Sequence, residues 1–372
     1  MMSTTTGSAP ATVSAPPAPG GPWVQRRRRN VAAFLDERGL DFGELTSFVR
    51  DRAGDGQVLL TSSPVHGLAN PSSDIDFIRV QGDPIDGARI SAKIFERGHH
   101  LEVVSFSAEE VSRSLAELSR LAALPPGETV GGFRSWDHKR EPRRKQAERI
   151  VNGLTADGEM PYLGSLPALS VVWSRGSLHT ALEQAVCLCL AEEAGERRGR
   201  VGYAVNTLLH LADALLSLHG DVYTTRKWYL LRWARAQLAR NAPDAGSRAV
   251  AAAIDALLAQ VTDALGSAER IASRYVDLCA QAARLVTGSG DVLVTITVGD
   301  EVGYREFLPG AGLLLGAGSS VVVPGPEVLE GLHEPLESVR EPGRRRAAGL
   351  LRALRAGLAG TRLTYLQQEV GA

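Results

Sequence analysis

The sequence predicts an α+β fold in three parts: a small mixed-sheet domain, a helical bundle and a small C-terminal α/β module. Three observations carry that prediction. Four short runs rich in β-branched and aromatic residues crowd into residues 57–106, after a helical start. From about Leu178 to Leu285 apolar residues recur almost continuously at helical spacing. Past residue 288 the pattern returns to alternating β-branched runs separated by Gly and Pro.

The elements follow in order. Residues 1–22, MMSTTTGSAPATVSAPPAPGGP, are mostly Ala, Pro, Ser and Thr and lack the charged and apolar regions of a signal peptide. Such a segment buries too little to order itself, so a disordered tail is expected. Arg26 to Arg29 follow and read either as a solvated helix start or as a nucleic-acid contact. Val31, Phe34, Leu35, Leu40, Phe42, Leu45 and Phe48 then predict one or two helices broken near Gly39. The strands expected next are Gln57–Thr61, Asp74–Val80, Ala88–Glu96 and His99–Phe106, with Arg97-Gly98 as a hairpin turn. Residues 23–107 are taken as the first domain.

Residues 108–287 are taken as the bundle. Ala108 to Leu121 is helical by period, LPPGETVGG reads as a break, and WDHKREPRRKQAERIV is strongly charged. Its basic run, residues 139–149, reads as a solvated helix face that would draw in anions if it lined a cleft. Leu178, Leu182, Ala185, Val186, Cys189 and Leu190 make one apolar stripe, and Leu208, Leu209, Ala212, Leu215 and Leu216 another. In the module at 288–372, DVLVTITV is a strand, GDEVG a turn, YREFL a return strand and SSVVVPGP a further strand. A basic amphipathic helix covers Pro342 to Leu358, and the chain carries no internal repeat.

Bulk properties narrow the function. A chain of 372 residues has room for two or three domains, and 44% hydrophobic with 22% charged residues is a globular composition. Net charge is −1, which argues against the chain as a whole binding a polyanion. No run approaches the roughly 18 apolar residues a membrane helix needs, so no membrane partner is expected. Cys187, Cys189 and Cys279 are odd in number and lie in apolar helical stretches, as core residues of a reduced, cytoplasmic protein would.

The chemistry concentrates in TSSPVHGLANPSSDIDFIRV, residues 61–80. On a strand, Asp74 and Asp76 share one face while Ile75 and Phe77 pack on the other. Two like charges there repel, so something positive belongs between them. A carboxylate pair with a third acid on a neighbouring strand can hold two divalent cations about 3.5–4 Å apart, the clamp used in phosphoryl displacement. Magnesium suits such hard oxygen ligands, and phosphates complete its shell. Glu102, a lone acid in the apolar strand HHLEVVSF, is the third candidate; Ser62, Ser63 and Gly67 offer donors to phosphate oxygens. His66 reads as an exposed loop histidine or a phosphate contact. His99 and His100 point to opposite faces and do not make a metal pair, while Lys93 stands as a residue that could line the site.

This stretch resembles the nucleotidyltransferase superfamily that includes DNA polymerase beta and the antibiotic adenylyltransferases. Its pattern is an apolar strand, Gly-Ser, a loop, Asp-x-Asp and a later acid; here LLTSSPVHGLANPSSDIDFI is followed by LEVV. The resemblance implies that Ser63 meets the triphosphate and that Asp74 and Asp76 bind metal. It makes Glu102 a metal ligand or the base for the acceptor hydroxyl. Ser62 departs from the pattern, since it stands where the family has glycine. HLADALLSLHGDVYTTRKWYLLRWA likewise resembles the helical substrate domain of small-molecule nucleotidyltransferases, which implies Lys227 at the triphosphate with Tyr223 and Trp228 framing the cleft. An equal reading makes Trp228 and Trp233 core and Lys227 solvated. The resemblance covers about residues 30–285 and implies a two-metal Mg2+ enzyme moving a nucleoside monophosphate from an NTP to a small-molecule hydroxyl, or to a protein acceptor. A nucleotide-binding regulatory or toxin–antitoxin-type protein with a degenerate site is the alternative, and nucleic-acid binding by the arginine clusters a third.

Overall fold

A computed structural model describes residues 21–83, 91–96, 98–136, 144–261, 270–288, 291–298, 302–308, 311–316, 319–323 and 343–366. The expected tail at 1–22 therefore lies almost wholly outside the described residues, as do the first part of the 139–149 run and the start of the third expected strand. The chain forms two compact units, one spanning Thr12–Trp173 with His219–Trp228, the other holding Ser174–Leu218 and Tyr229 onward.

The first unit opens with two helices, α1 (Pro22–Asp36) and α2 (Phe42–Ala53). Asp41 caps α2 by accepting the Glu44 N–H at 2.8 Å. Strand β1 (Gln57–Leu60) and a single helical turn α3 (Ser63–His66) lead into β2 (Ile75–Gln81), β3 (Ser91–Glu96) and β4 (His99–Ser107). The sheet order is β1-β2-β4-β3, with β2 and β4 parallel and the outer pairs antiparallel. The expected hairpin turn holds: Glu96 pairs with His99, and Gly98 takes a positive φ of 84° that a side chain would resist. One sheet face, carrying Val58, Leu60, Ile75, Phe77, Leu101 and Val103, packs with Val31, Phe34, Leu45 and Val49 of α1 and α2. The other carries Leu59, Ile78, Val80 and Phe106 against Val111 and Ile150.

Those last two residues belong to helices expected in the bundle. Helix α4 (Ala108–Ala123) starts with a capping box in which Ser107 Oγ accepts from Glu110 N–H and the Glu110 carboxylate accepts from Ser107 N–H. LPPGETVGG is not a break but helix α5 (Pro126–Ser135). Pro126 at the first turn is compatible with a helix. Gly132 lies so close to Leu121 that an added Cβ would sit 2.2 Å from its Cδ2, so there glycine serves close helix contact rather than a turn. Helix α6 (Arg144–Asn152) ends the basic run, and only its start is solvated: Lys145 is exposed, but Ala147, Glu148, Arg149, Ile150, Val151 and Asn152 are all buried. The expected boundary at 107/108 is thus not where the compact units part, because α4 and α6 cover the sheet.

Helix α7 (Leu166–Ala194) carries the division at Trp173, and the second unit continues with α8 (Arg197–Leu218), α9 (Tyr229–Ala236), α10 (Leu238–Asn241), α11 (Ala245–Gln260) and α12 (Ala272–Thr287). Leu178, Leu182, Ala185, Val186, Cys189, Leu190, Leu208 and Leu215 are buried as their stripes predict. By length and composition α8 could cross a membrane, with mean hydropathy 1.3 over 18 residues, which corrects the expectation that no segment approaches this. It packs on α11 and α12 and buries Leu208, Leu211, Leu215 and Leu216, as a core helix does.

The end of the chain makes β5 (Asp291–Val298), β6 (Gly303–Leu308), β7 (Ala311–Gly316), β8 (Ser319–Val323), α13 (Arg344–Arg355) and β9 (Ala359–Leu366). YREFL is not the return strand of DVLVTITV. Strand β5 pairs antiparallel with β9, and β6 forms a separate meander with β7 and β8. Ile296, Leu314, Val323, Leu350 and Leu358 share one hydrophobic cluster with Leu208 and Leu278, so this region is part of the second unit's core rather than a module of its own.

Candidate active site

Strand register builds the site. Asp76 on β2 is the partner of Glu102 on β4, and Glu102 is the partner of Lys93 on β3. Residues in register project to the same side, so the two carboxylates and the lysine form a row on the face that also carries Ile78 and Phe106. Asp74 precedes β2 and is half exposed, with its Oδ1 3.3 Å from His100 Nδ1. Before it, Asn70 and Ser73 lock a turn through Asn70 N–H to Ser73 Oγ and Ser72 N–H to Asn70 Oδ1.

The loop after β1 is tied to this row. Thr61 donates its N–H and its hydroxyl to the Asp76 carbonyl, at 2.9 and 3.1 Å. Ser62 then takes φ 65° and ψ −146°, a region populated essentially by glycine. The residue that departs from the family pattern therefore keeps the backbone conformation that a glycine would supply. Its hydroxyl is buried without a hydrogen bond of standard geometry, yet lies near enough to Asp76 to lower the affinity of that carboxyl for a proton. Ser63 is buried at the start of α3.

Arg149 brings a positive charge to one of the two aspartates: its Nη2 lies 3.2 Å from Asp76 Oδ2, and the side chains are 11% and 13% exposed. Burial pushes the Asp76 carboxyl above its ordinary range. Arg149, the Ser62 hydroxyl and Lys145 pull it down, while Glu102 pushes it further up.

Beneath this lies a buried polar network. His66 is buried, not an exposed loop residue. Arg27 Nη1 lies 2.8 Å from His66 Nδ1, and His66 Nε2 lies 3.0 Å from Glu148 Oε1. Arginine has only donors, so Nδ1 accepts and Nε2–H donates to the carboxylate. Asn152 Oδ1 accepts from Arg27 at 3.3 Å, and its amide donates to the Val222 carbonyl and to Glu148. Tyr223 packs against the His66 ring in a tilted arrangement, centroids 4.4 Å apart, and burial next to Glu148 pushes its phenol up to about 12. Tyr223 is thus a packing partner of the loop histidine. Lys227 is exposed on a 3₁₀ turn at Arg226–Trp228, with Nζ 5.1 Å from the centre of the Trp228 ring. Trp233 is buried in the other unit's core.

Sequence reasoning missed Arg149, Glu148, Asn152 and Arg27. Ala147, Ile150 and Val151 give RKQAERIVN an apolar helical stripe that signals a buried helix, but its charge obscures that signal.

Among the described residues, no three His, Cys, Asp or Glu side chains stand close enough together to hold a metal ion. The donor set that does assemble is Asp76 with Glu102, two hard carboxylates of the kind that bind magnesium together with substrate phosphates. A separate open depression of about 400 Å3 along α2, lined by Leu45, Phe48 and Asp51 among others, contains neither.

No curated protein matches the chain. Among solved structures, a nucleotidyltransferase-like protein from Exiguobacterium sibiricum matches at 13% identity, covering 74% of this chain and 96% of that one, with a TM-score of 0.25. A likeness at that score carries no weight for fold or function. The family model described as "Family of unknown function (DUF6001)" matches residues 21–365, nearly the whole of the chain, and the chain belongs to that family.

Proposed function

We propose that this protein is a magnesium-dependent nucleotidyltransferase that moves a nucleoside monophosphate from an NTP to an acceptor hydroxyl, that of a small molecule. One observation carries the reading: Asp76 and Glu102 stand in register on one sheet face, beside a turn held by Ser62 in a glycine-type conformation. Magnesium on Asp76 and Glu102 would neutralise phosphate charge as the displacement proceeds. Asp74, at the mouth of the same strand, is the further carboxylate the resemblance assigns to metal.

The chain's own groups have defined tasks. In the reaction the acceptor oxygen bonds to the α-phosphorus, the bond to the β-phosphate oxygen breaks, and pyrophosphate leaves. Glu102 accepts the hydroxyl proton. Ser62 and Ser63 offer hydroxyls to phosphate oxygens, and Lys93, Lys145 and Arg149 make the surroundings of the carboxylates cationic enough for a triphosphate. Lys227 is a further phosphate contact if the turn at 226–228 bends toward the nucleotide.

A second reading, a nucleotide-binding regulatory protein with a degenerate site, draws on the arginine bound to Asp76. Calorimetry separates the two. A non-hydrolysable NTP is expected to bind with a requirement for Mg2+, and Asp76→Asn to weaken it at least about tenfold, the scale of one lost charge-assisted ligand. Equal affinity with and without Mg2+ would rule the transferase reading out. A screen of labelled NTPs against hydroxyl acceptors then identifies the substrate.

A further inference from the structure

Arg149 occupies one of the oxygens that a metal would need. Its guanidinium holds Asp76 Oδ2 through a single 3.2 Å contact rather than the two-pronged grip that makes arginine–carboxylate pairs firm. The backbone carrying it, by contrast, is fixed. Glu148 on one side is bound to His66, Asn152 is bound to Arg27 and to the Val222 carbonyl, and Ile150 packs against Leu59, Ile78 and Phe106. Moving α6 would break a buried charged network, whereas turning the Arg149 side chain breaks one contact.

From this geometry we propose that Arg149 is an exchangeable counter-ion: it holds Asp76 closed to a bare divalent cation and turns to the triphosphate when metal and nucleotide arrive together. The inference rests on the reading of Asp76 as a metal ligand and adds a regulation to it. The physical reason is charge. A dication entering alone would face an evicted guanidinium at close range with Lys93 and Lys145 nearby, and like charges at such distances repel. A triphosphate brings the negative charge that gives Arg149 a new partner. The site would thereby couple metal to nucleotide, and free divalent metal would not fill it idly.

The test measures two affinities whose changes must have opposite signs. Mn2+ binding without nucleotide is followed by the loss of the free-ion electron paramagnetic resonance signal, and binding of a non-hydrolysable NTP at saturating Mg2+ by calorimetry. Arg149→Gln is expected to bind Mn2+ alone about tenfold tighter and the nucleotide about tenfold weaker, within the usual range of site-to-site coupling. Arg149→Lys, which keeps the charge on a shorter reach, should fall between, and it carries the test if Arg149→Gln does not fold. A merely structural arginine would weaken both affinities together, and that result overturns the proposal. Equal Mn2+ affinity in wild type and Arg149→Gln, abolished by Asp76→Asn, also overturns it while leaving the metal reading intact. Absence of any Asp76-dependent Mn2+ binding would instead refute the metal reading, and the proposal with it.

Discussion

Replacing Ser62 by glycine isolates the most unusual backbone position in the site. At φ 65° and ψ −146° a side chain is strained by about 1–3 kcal/mol, and glycine is not. The Ser62 hydroxyl is buried without a standard hydrogen bond, and releasing such a group is worth about 1–3 kcal/mol. Against these, glycine loses more backbone freedom on folding, about 0.5–1 kcal/mol. The balance predicts that Ser62→Gly is more stable by about 1–5 kcal/mol, although serine-to-glycine changes ordinarily destabilise. For a unit of this size each kcal/mol raises Tm by about 2–4 °C. Tryptophan fluorescence is the appropriate probe, because Trp23, Trp136, Trp173 and Trp228 lie in the unit that holds β1–β4 and Trp233 in the other. Ser62→Ala supplies the control: it removes the hydroxyl and keeps the strain, so it should recover only part of the gain. If Ser62→Gly lowers the melting temperature, or if Ala and Gly have equal effects, the strain at Ser62 is not real.

Three further outcomes follow from the same geometry. His66→Leu removes one acceptor from Arg27 and one donor from Glu148, while both keep Asn152, and losing two hydrogen bonds to charged groups at about 1.5–3 kcal/mol each is expected to cost about 3–6 kcal/mol; an unchanged urea midpoint would show that the network does not support the fold. Glu102→Gln keeps size and removes charge. Turnover should fall at least about a hundredfold while NTP affinity changes much less, and intact turnover would make Glu102 structural. The phenol of Tyr223 sits at about 12 in the fold, against 10 ordinarily, so its contribution is complete below pH 10 and is lost as pH rises through 12. Denaturant midpoints should therefore drop across that window. Tyr223→Phe should flatten the drop in part, since burial also raises Tyr162, Tyr203 and Tyr275; a slope identical to wild type would remove Tyr223 from the buried network.

Local pattern in the sequence determined the elements around the site. Alternation in IDFIRV and LEVVSF marks β2 and β4, two-residue spacing at Arg97-Gly98 marks the hairpin, and the apolar stripes of α7 and α8 mark core helices. These are properties of neighbours a few residues apart, so periodicity records them. That Asp76 and Glu102 would be neighbours depended on a parallel pairing of β2 and β4, which no local signal specifies. The counter-charge of Asp76 came from Arg149, 73 residues further along the chain, within a run whose composition reads as solvent-exposed. The partners of β5 and β6 were likewise assigned by chain closure, since alternation identifies a strand but is silent about what it pairs with. Tertiary structure decided these points because a buried charge is tolerable only beside its counter-charge. His66, Arg27 and Glu148 read as surface residues one at a time, and each becomes a core residue only once the fold has brought the other two to it.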